Sequence, residues 1–594
     1  MKHFNLLILM AIFLGQSVCA QVYNQTNTFG QAGLTFPFGR AYDSQNNYYT
    51  VGFHQGSFTY GDTTASFAGG NQDVFLTKTD ANGNPVWVKS FNGGADNAGL
   101  NITIDNNDNI YLTGFFQGAG SNAFDADPDP NTEYFLAQTS FLLSRDAFII
   151  KLDSNGDFLW AKQFSNAYGA ANENGKGIKV DSEGNVYAIG EFIVADFDPG
   201  SSEYALCANN GAGTYTTQID CVSTSESLSQ DAYIVKLNAS GDFIWAKQLK
   251  SLGTNQSTTT AESIDIDDAD NLYIAGTFNQ TIDLDPSSES EDLHVNVGSF
   301  DSYIVKLTND GDFVWGHTFG NASLDDVQSV ICINENVYVT GQVWGNTDFD
   351  PTEEENTISI LGGTAGFASK FNQDGTYLST YIVDGNDASG TSEMIYSVGL
   401  NGSNLYFAGV IQGETDFDIA TEGVVSETSN NNSEDAFLLV IEEATGNYVE
   451  HYLIGGTGDE EKIWADVLDL NIFLTGTFRS ATVDFNPFEG EDIQSKSAGQ
   501  ADSYVSVFQL NSLSIDEFDG STVLTLYPNP AVDEIRISGN NPINKFEIYS
   551  ITGQLVNKGD LTSNTIDISQ LSKGTYLLKL VGRNQVFAKK IIKK

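Results

Sequence analysis

The stretch Asp146–Phe164, DAFIIKLDSNGDFLWAKQF, decides the fold, because it returns along most of the chain. Close copies begin at Asp73 (DVFLTKTDANGNPVWVKSF), Asp231 (DAYIVKLNASGDFIWAKQL) and Asp301 (DSYIVKLTNDGDFVWGHTF). Weaker copies begin at Gly366 and Asp435, and a half copy, DSYVSVFQL, begins at Asp502. In each full copy, two runs rich in Ile, Val, Phe, Tyr and Trp flank a short Asn/Asp/Gly turn, the pattern of a β-hairpin. Apolar residues fill both phases of DAFIIKL, with Phe148, Ile150 and Leu152 on one face and Ala147 and Ile149 on the other. Such a strand is expected to be covered on both sides.

A second hairpin alternates with the first: NITIDNNDNIYLTGFF from Asn101, GIKVDSEGNVYAIGEF from Gly177 and SIDIDDADNLYIAGTF from Ser263. Its aromatic-x-x-Gly core recurs at Gly52, Gly114, Gly190, Gly276, Gly341, Gly409 and Gly476, at steps of 62 to 86 residues. Two hairpins repeating at that period make a four-stranded propeller blade. The expectation is an all-β chain with a seven-bladed β-propeller at 21–511, a linker at 512–522 and a small β-sandwich at 523–594. We call the strands of each blade A and B (first hairpin of the pair, GIKVD and NVYAIGEF) and C and D (DAFIIKL and DFLWAKQF).

Met1–Ala20 carries Lys2, the apolar run LLILMAIFLG and small residues before Gln21, the pattern of a secretory signal peptide. No later stretch approaches 18 consecutive apolar residues, so no transmembrane segment is expected. VYNQTNTFG from Val22 resembles a D strand, and the last copy, DSYVSVFQL, lacks one. The N-terminal strand is therefore expected to complete blade 7 and remove the free edges of the ring.

The chain carries 78 acidic and 27 basic residues, net −51. From Ser521 onward the balance reverses to +5, leaving −56 for the rest, which marks a domain boundary. An acidic body argues strongly against nucleic acid or anionic membrane as partner, since both need clustered Lys and Arg.

GNVYAIG, the Asp-Phe after it, DAYIVKL and the aromatic D strand together resemble the β-propeller repeat of secreted bacterial proteins, the SBBP repeat, over about Val22–Leu510. The resemblance implies fold rather than activity. The variable insertions fall between B and C, and loops of this kind on a rigid scaffold carry binding. They hold a recurring acidic pair: Asp125 and Asp127, Asp196 and Asp198, Asp283 and Asp285, Asp348 and Asp350, Asp416 and Asp418, with Asp484 and Asn486 in blade 7. Carboxylates two residues apart in extended chain point the same way and could chelate Ca²⁺. Alternatively, the first Asp caps a turn and a following Pro stops the strand.

The C–D turns, such as DSNGD from Asp153, lack the Asp-x-Gly-x-x-Trp spacing of the Asp-box in sialidase propellers and are hairpin turns. Arg40, Arg145 and Arg479 fall in blades 1, 2 and 7, neighbours on a ring, so their convergence into a glycosidase site stays open. His54, His294, His317 and His451 show no ligand spacing. Cys207 and Cys221 bracket CANNGAGTYTTQIDC inside the longest insertion and are expected to form a disulfide, while Cys332 is expected to be a small buried apolar residue. Trp87, Trp160, Trp245 and Trp315 recur at one strand position, as core packing between blades does.

After Leu510 the segments around Tyr527-Pro528-Asn529-Pro530, YSITGQLV from Tyr549, Gly574-Thr575-Tyr576 and the terminal Lys589-Lys590-Ile591-Ile592-Lys593-Lys594 closely resemble the type A C-terminal sorting domain of type IX secretion substrates in Bacteroidota. The resemblance implies engagement of the type IX machinery, passage across the outer membrane, and release or attachment at the surface. Two functional expectations follow. One is a non-catalytic binding or adhesion module using the B–C and D–A loops, with a protein or glycan ligand and possible Ca²⁺. The other is a hydrolase or lyase acting on extracellular glycans.

Overall fold

The computed structural model describes residues 21–510 except 31–32, 119, 139–143, 165–171, 209–228, 254–256, 352–356, 362, 386–391, 419–424 and 489–490, and residues 525–594 except 539–542, 551–554, 562–563 and 583–585. The leader, the linker, Cys221 and much of YSITGQLV lie outside the described residues. Gln21–Leu510 form one compact unit, and a separate unit holds the tail.

Among the described residues of the first unit, seven antiparallel sheets each carry strands in the order A-B-C-D. The A strands are Thr35–Tyr42, Asn97–Ile104, Asn174–Val180, Thr259–Ile266, Asp326–Ile333, Ser392–Asn401 and Glu460–Leu468. Blade 7 takes its D strand from the N-terminus: Gln21–Phe29 pairs antiparallel with Asp502–Leu510, from Gln21 opposite Leu510 to Phe29 opposite Ser503.

The two-phase apolar pattern of strand C is explained by burial between blades. Phe148, Ile150 and Leu152 enter a core shared with Val51, Val74 and Leu76 of blade 1, whereas Ala147 and Ile149 enter one shared with Ile178 and Ala188 of blade 3. The tryptophans complete these seams. Trp87 stands edge-on to Tyr49 with ring centroids 6.0 Å apart, and its far edge lies against the C–D turn glycine of blade 2, Gly156, at φ +81°. Trp160 packs against Gly241 of blade 3 and Trp245 against Gly311 of blade 4 in the same way. A Cβ on such a glycine would first meet the neighbouring blade's lysine, Lys89, Lys162 or Lys247, and then crowd its Trp, so the positive φ of the turn and the blade packing favour the same residue.

The A–B turns of blades 1 to 4 are built on an Asp-x-x-x-Asn-x-Tyr pattern. Asp181 Oδ1 accepts the amides of Glu183 and Asn185, and Oδ2 accepts Asn185 Nδ2 and Tyr187 OH. The strand-C Lys236 ammonium then lies 4.9 Å from the Tyr187 ring centroid. Asp43, Asp105 and Asp267 repeat the arrangement with Tyr49, Tyr111 and Tyr273. Burial raises these three carboxyls, but the converging donors of Asn47, Asn109 and Asn271 outweigh it and hold them below the usual range.

The tail forms a three-stranded and a four-stranded sheet around Ile535, Ile537, Ile548, Ile566, Leu578 and Ile591.

Candidate functional site: an axial channel and a ribboned face

Every A strand slips register against its B strand near its start, between Pro37 and Gly39, Gly99 and Asn101, Gly175 and Gly177, Ala261 and Ser263, Val327 and Ser329, Ile395 and Ser397, and Glu461 and Trp464. A bulge re-aims a side chain. Six of the bulged residues, Phe38, Leu100, Lys176, Glu262, Gln328 and Lys462, line a channel on the axis with a volume of about 880 Å³. The backbone repeats while the side chains differ, so the axis is chemically individual at each blade.

Of the channel's cations, three are clamped across blade boundaries. Lys176 Nζ lies 2.6 Å from Glu262 of the next blade and 3.1 Å from Glu191 of its own, Lys179 Nζ lies 2.8 Å from Asp265, and Arg40 Nε lies 2.7 Å from Asp466. Burial opposes the charge on Lys176, but Glu262 and Glu191 outweigh it and hold its ammonium above the usual range. Lys462 differs: it makes no ion pair among the described residues, sits 5.3 Å from the Phe38 ring centroid and is lowered by burial. Cys332 is half-buried on the channel wall rather than fully enclosed, because the A strand's inner face borders this cavity instead of a neighbouring blade.

On the B–C side, each connection builds a two-stranded ribbon, from Phe58–Tyr60 with Thr63–Ala65 in blade 1 to Thr482–Asp484 with Ile493–Ser495 in blade 7. In blades 2 to 7 an acidic pair, Asp-Asn in blade 7, stands at the root of each ribbon. Asp125 Oδ1 accepts the amides of Asp127 and Tyr134, Asp196 Oδ1 those of Asp198 and Tyr204, and Asp283 Oδ1 those of Asp285 and Asp292. Asp348 accepts from Asp350, Asp416 from Asp418 and Val425, and Asp484 from Asn486 and Asp492. Among the described residues no group of three His, Cys, Asp or Glu is placed to hold a metal ion.

The arginines are each engaged locally: Arg145 lies 3.9 Å over the Phe115 ring, and Arg479 is bidentate on Glu461 at 2.7 and 3.2 Å. His54 bridges the Gly56 carbonyl and Ser90, His294 contacts Asp292, His317 stacks on Trp315, and His451 stacks on Phe417. Cys207 is disulfide-bonded and buried at a ribbon end.

In the tail, the YPNP turn docks on the last strand. Asn529 Nδ2 donates to the Lys590 carbonyl at 2.8 Å, and Asn529 Oδ1 accepts the Ile592 amide at 2.9 Å. Gly574-Thr575-Tyr576 pairs with Ile591–Lys593, so the separated motif segments form one unit, with Lys589 and Lys590 exposed.

Where strand C of one blade meets the next blade, buried carboxyls collect. Burial pushes Asp146 and Asp231 up to about 7 and Glu460 up to about 8. A carboxyl raised in the folded state stabilises fully below its unfolded value, and that contribution is lost as pH rises through the folded value. His54, lowered to about 4 by burial, acts oppositely, but only below about 6.5. Between pH 8.5 and 6.5 the carboxyls act alone, so the melting temperature should rise on acidification by roughly 5 °C. A flat or falling profile over that window in differential scanning calorimetry would contradict the assignment.

Residues 525–594 match the family described as the secretion system C-terminal sorting domain. That match indicates type IX secretion to the cell surface or extracellular space, and among the described residues no helix is long and apolar enough to cross a membrane. Over 170 residues the chain is 28% identical to an uncharacterized WD repeat-containing protein of Acanthamoeba polyphaga mimivirus, spanning 28% of this chain and 10% of that one. Among solved structures it is similar to the phage phi92 endosialidase, at 9% identity and TM-score 0.35, covering 96% of this chain and 79% of that one. The polysaccharide lyase Uly1 gives 11% identity and TM-score 0.35, covering 82% and 100% respectively. PorZ, a surface component of the type IX secretion system of Porphyromonas gingivalis, gives 10% and 0.19, covering 94% and 82%.

Proposed function

We propose that the propeller is a non-catalytic binding or adhesion module of the SBBP-repeat kind, taken across the outer membrane by the type IX machinery and engaging an extracellular protein or glycan through its B–C and D–A loops. The observation that supports this is the placement of exposed apolar side chains. Phe135, Leu293, Val295, Val297, Trp344 and Ile493 all stand exposed on B–C connections, Val295 and Val297 at 70% and 71%. Clustered exposed apolar side chains on one ribbon, such as Leu293, Val295 and Val297, mark a contact surface, whereas Leu159, Ile244 and Val314 are exposed singly, one per D strand.

Calcium belongs to this proposal as a ligand of the paired carboxylates together with ribbon carbonyls, in competition with the amides and hydroxyls that both members of a pair accept, as Asp283 does from Asp285 and Asp292 and Asp285 from Ser287 and Ser290. The test uses the chain from Gln21 to Lys594 on a glycan array and on extracellular matrix proteins, with excess Ca²⁺ or with chelator. Binding is expected, with retention weakened about tenfold or more when Leu293, Val295 and Val297 are replaced by serine. Melting should shift upward with Ca²⁺. Cleavage of a polysaccharide without stable binding would replace this function with the glycan-acting enzyme. An unchanged melting temperature would remove calcium and leave the pairs as turn caps.

A further inference from the structure

Lys462 has left-handed backbone, at φ +50°, in the widest of the seven bulges, where two residues rather than one leave the ladder between Glu461 and Trp464. A long side chain in that conformation carries strain that persists only where the surroundings enforce it, and such positions cluster at binding sites. The bulge delivers the ammonium into the channel without giving it a carboxylate partner, against the Phe38 ring. Two blades away, Gln328 lines the same cavity and donates to Asp326 Oδ2 at 2.8 Å, and Asp326 too makes no ion pair among the described residues. Lys176 and Glu262, the neighbouring bulged residues, satisfy each other at 2.6 Å. Lys462 therefore faces the cavity without a carboxylate partner, and Gln328 faces it with the unpaired Asp326 carboxylate held against its amide, at the end nearer the B–C and D–A loops because these residues stand early in their A strands. The cavity, about 880 Å³, is of small-molecule size.

We propose that this end of the channel binds a small molecule carrying a carboxylate beside hydrogen-bond donors. The carboxylate meets Lys462 Nζ, the donors meet Gln328 and Asp326, and an apolar edge lies on Phe38. A lone anion would be repelled by Asp326, and a lone cation by Lys462. A ligand presenting both kinds of group satisfies the pair together. Sugar acids and amino acids share that chemistry.

Calorimetric titration of the chain from Gln21 to Lys594 with D-glucuronate, L-leucine and D-glucose tests the proposal. One of the two acids binds, and D-glucose, which has no carboxylate, does not. Lys462→Met weakens binding about tenfold or more while Lys462→Arg retains it, and melting temperatures confirm that both variants are folded. Asp326→Asn separates the sources: it weakens L-leucine, whose ammonium loses its anion, about tenfold, and leaves D-glucuronate nearly unchanged. If neither acid binds, or if folded Lys462→Met binds as the parent does, the proposal is overturned. The serine substitutions on the ribbons leave this titration unchanged, so the two sites fail separately.

Discussion

Removal of Gln21–Gly30 is expected to abolish the folded monomer. Those residues are the whole D strand of blade 7, and their loss exposes the edge of Asp502–Leu510, a strand of buried apolar residues. An uncovered apolar edge pairs with other chains. The strand also fills a core: Phe29 is 2% exposed, with ring centroids 5.6 Å from Phe58, 5.1 Å from Tyr60 and 5.6 Å from Phe75. Asn24 Nδ2 donates to the Asn82 carbonyl of blade 1 at 2.9 Å, so the strand ties the last blade to the first. Roughly eight ladder hydrogen bonds at about 1 kcal/mol each, with a large buried aromatic, approach the ~5–15 kcal/mol that holds a domain together. Size-exclusion chromatography should show aggregate or oligomer, and a synthetic Gln21–Gly30 peptide should restore monomer. A truncated chain that stays monomeric and melts within a few degrees of the parent would refute the closure.

That closure was legible because the seventh copy lacks a strand and Val22–Gly30 has the D-strand pattern. The seam tryptophans were legible for a related reason: Trp87, Trp160, Trp245 and Trp315 keep one position, and position within a blade fixes what a side chain meets. The acidic pairs were visible as a motif, but their use of Oδ1 toward two amides depends on the ribbon register, and ribbon strands of two or three residues are too short to leave a periodic signal. Of the axial charges only Arg40 was singled out, and as a candidate for a glycosidase site rather than for the axis. Lys176 in NGKGIKV, Glu262 in TTAESIDI and Lys462 in EEKIWADVL interrupt otherwise strand-like runs, and that interruption was their only trace. A bulge shifts the side-chain phase by one, so alternation cannot tell an inward charge from an outward one. The clamps Lys176–Glu262 and Arg40–Asp466 join residues 86 and 426 positions apart, which no local pattern could pair.

Gly190→Ala is expected to cost about 3 kcal/mol or more and to leave little folded protein, whereas Gly184→Ala in the same blade should cost only about 1 kcal/mol. Gly190 lies in strand B, opposite the place where the bulge at Lys176 swings the Asn174 carbonyl inward. A Cβ there would overlap that oxygen and crowd Tyr233, both held in fully buried sheet. Neither neighbour can yield, since the carbonyl belongs to the ladder and the Tyr233 ring packs against Phe164, Phe192 and Phe197. Gly184 has the greater conformational demand, φ +84° in an A–B turn, yet a Cβ there would meet only Ala239 at 3.6 Å. Turn strain alone is a modest penalty, while overlap with buried backbone is not. The same glycine recurs at Gly52, Gly114, Gly276, Gly341 and Gly409, each against the carbonyl just before its blade's bulge, so it and the bulge form one device. Urea denaturation of both variants decides the matter: equal midpoints would mean that the strand-B glycines serve flexibility, and that the channel's inward side chains do not depend on them.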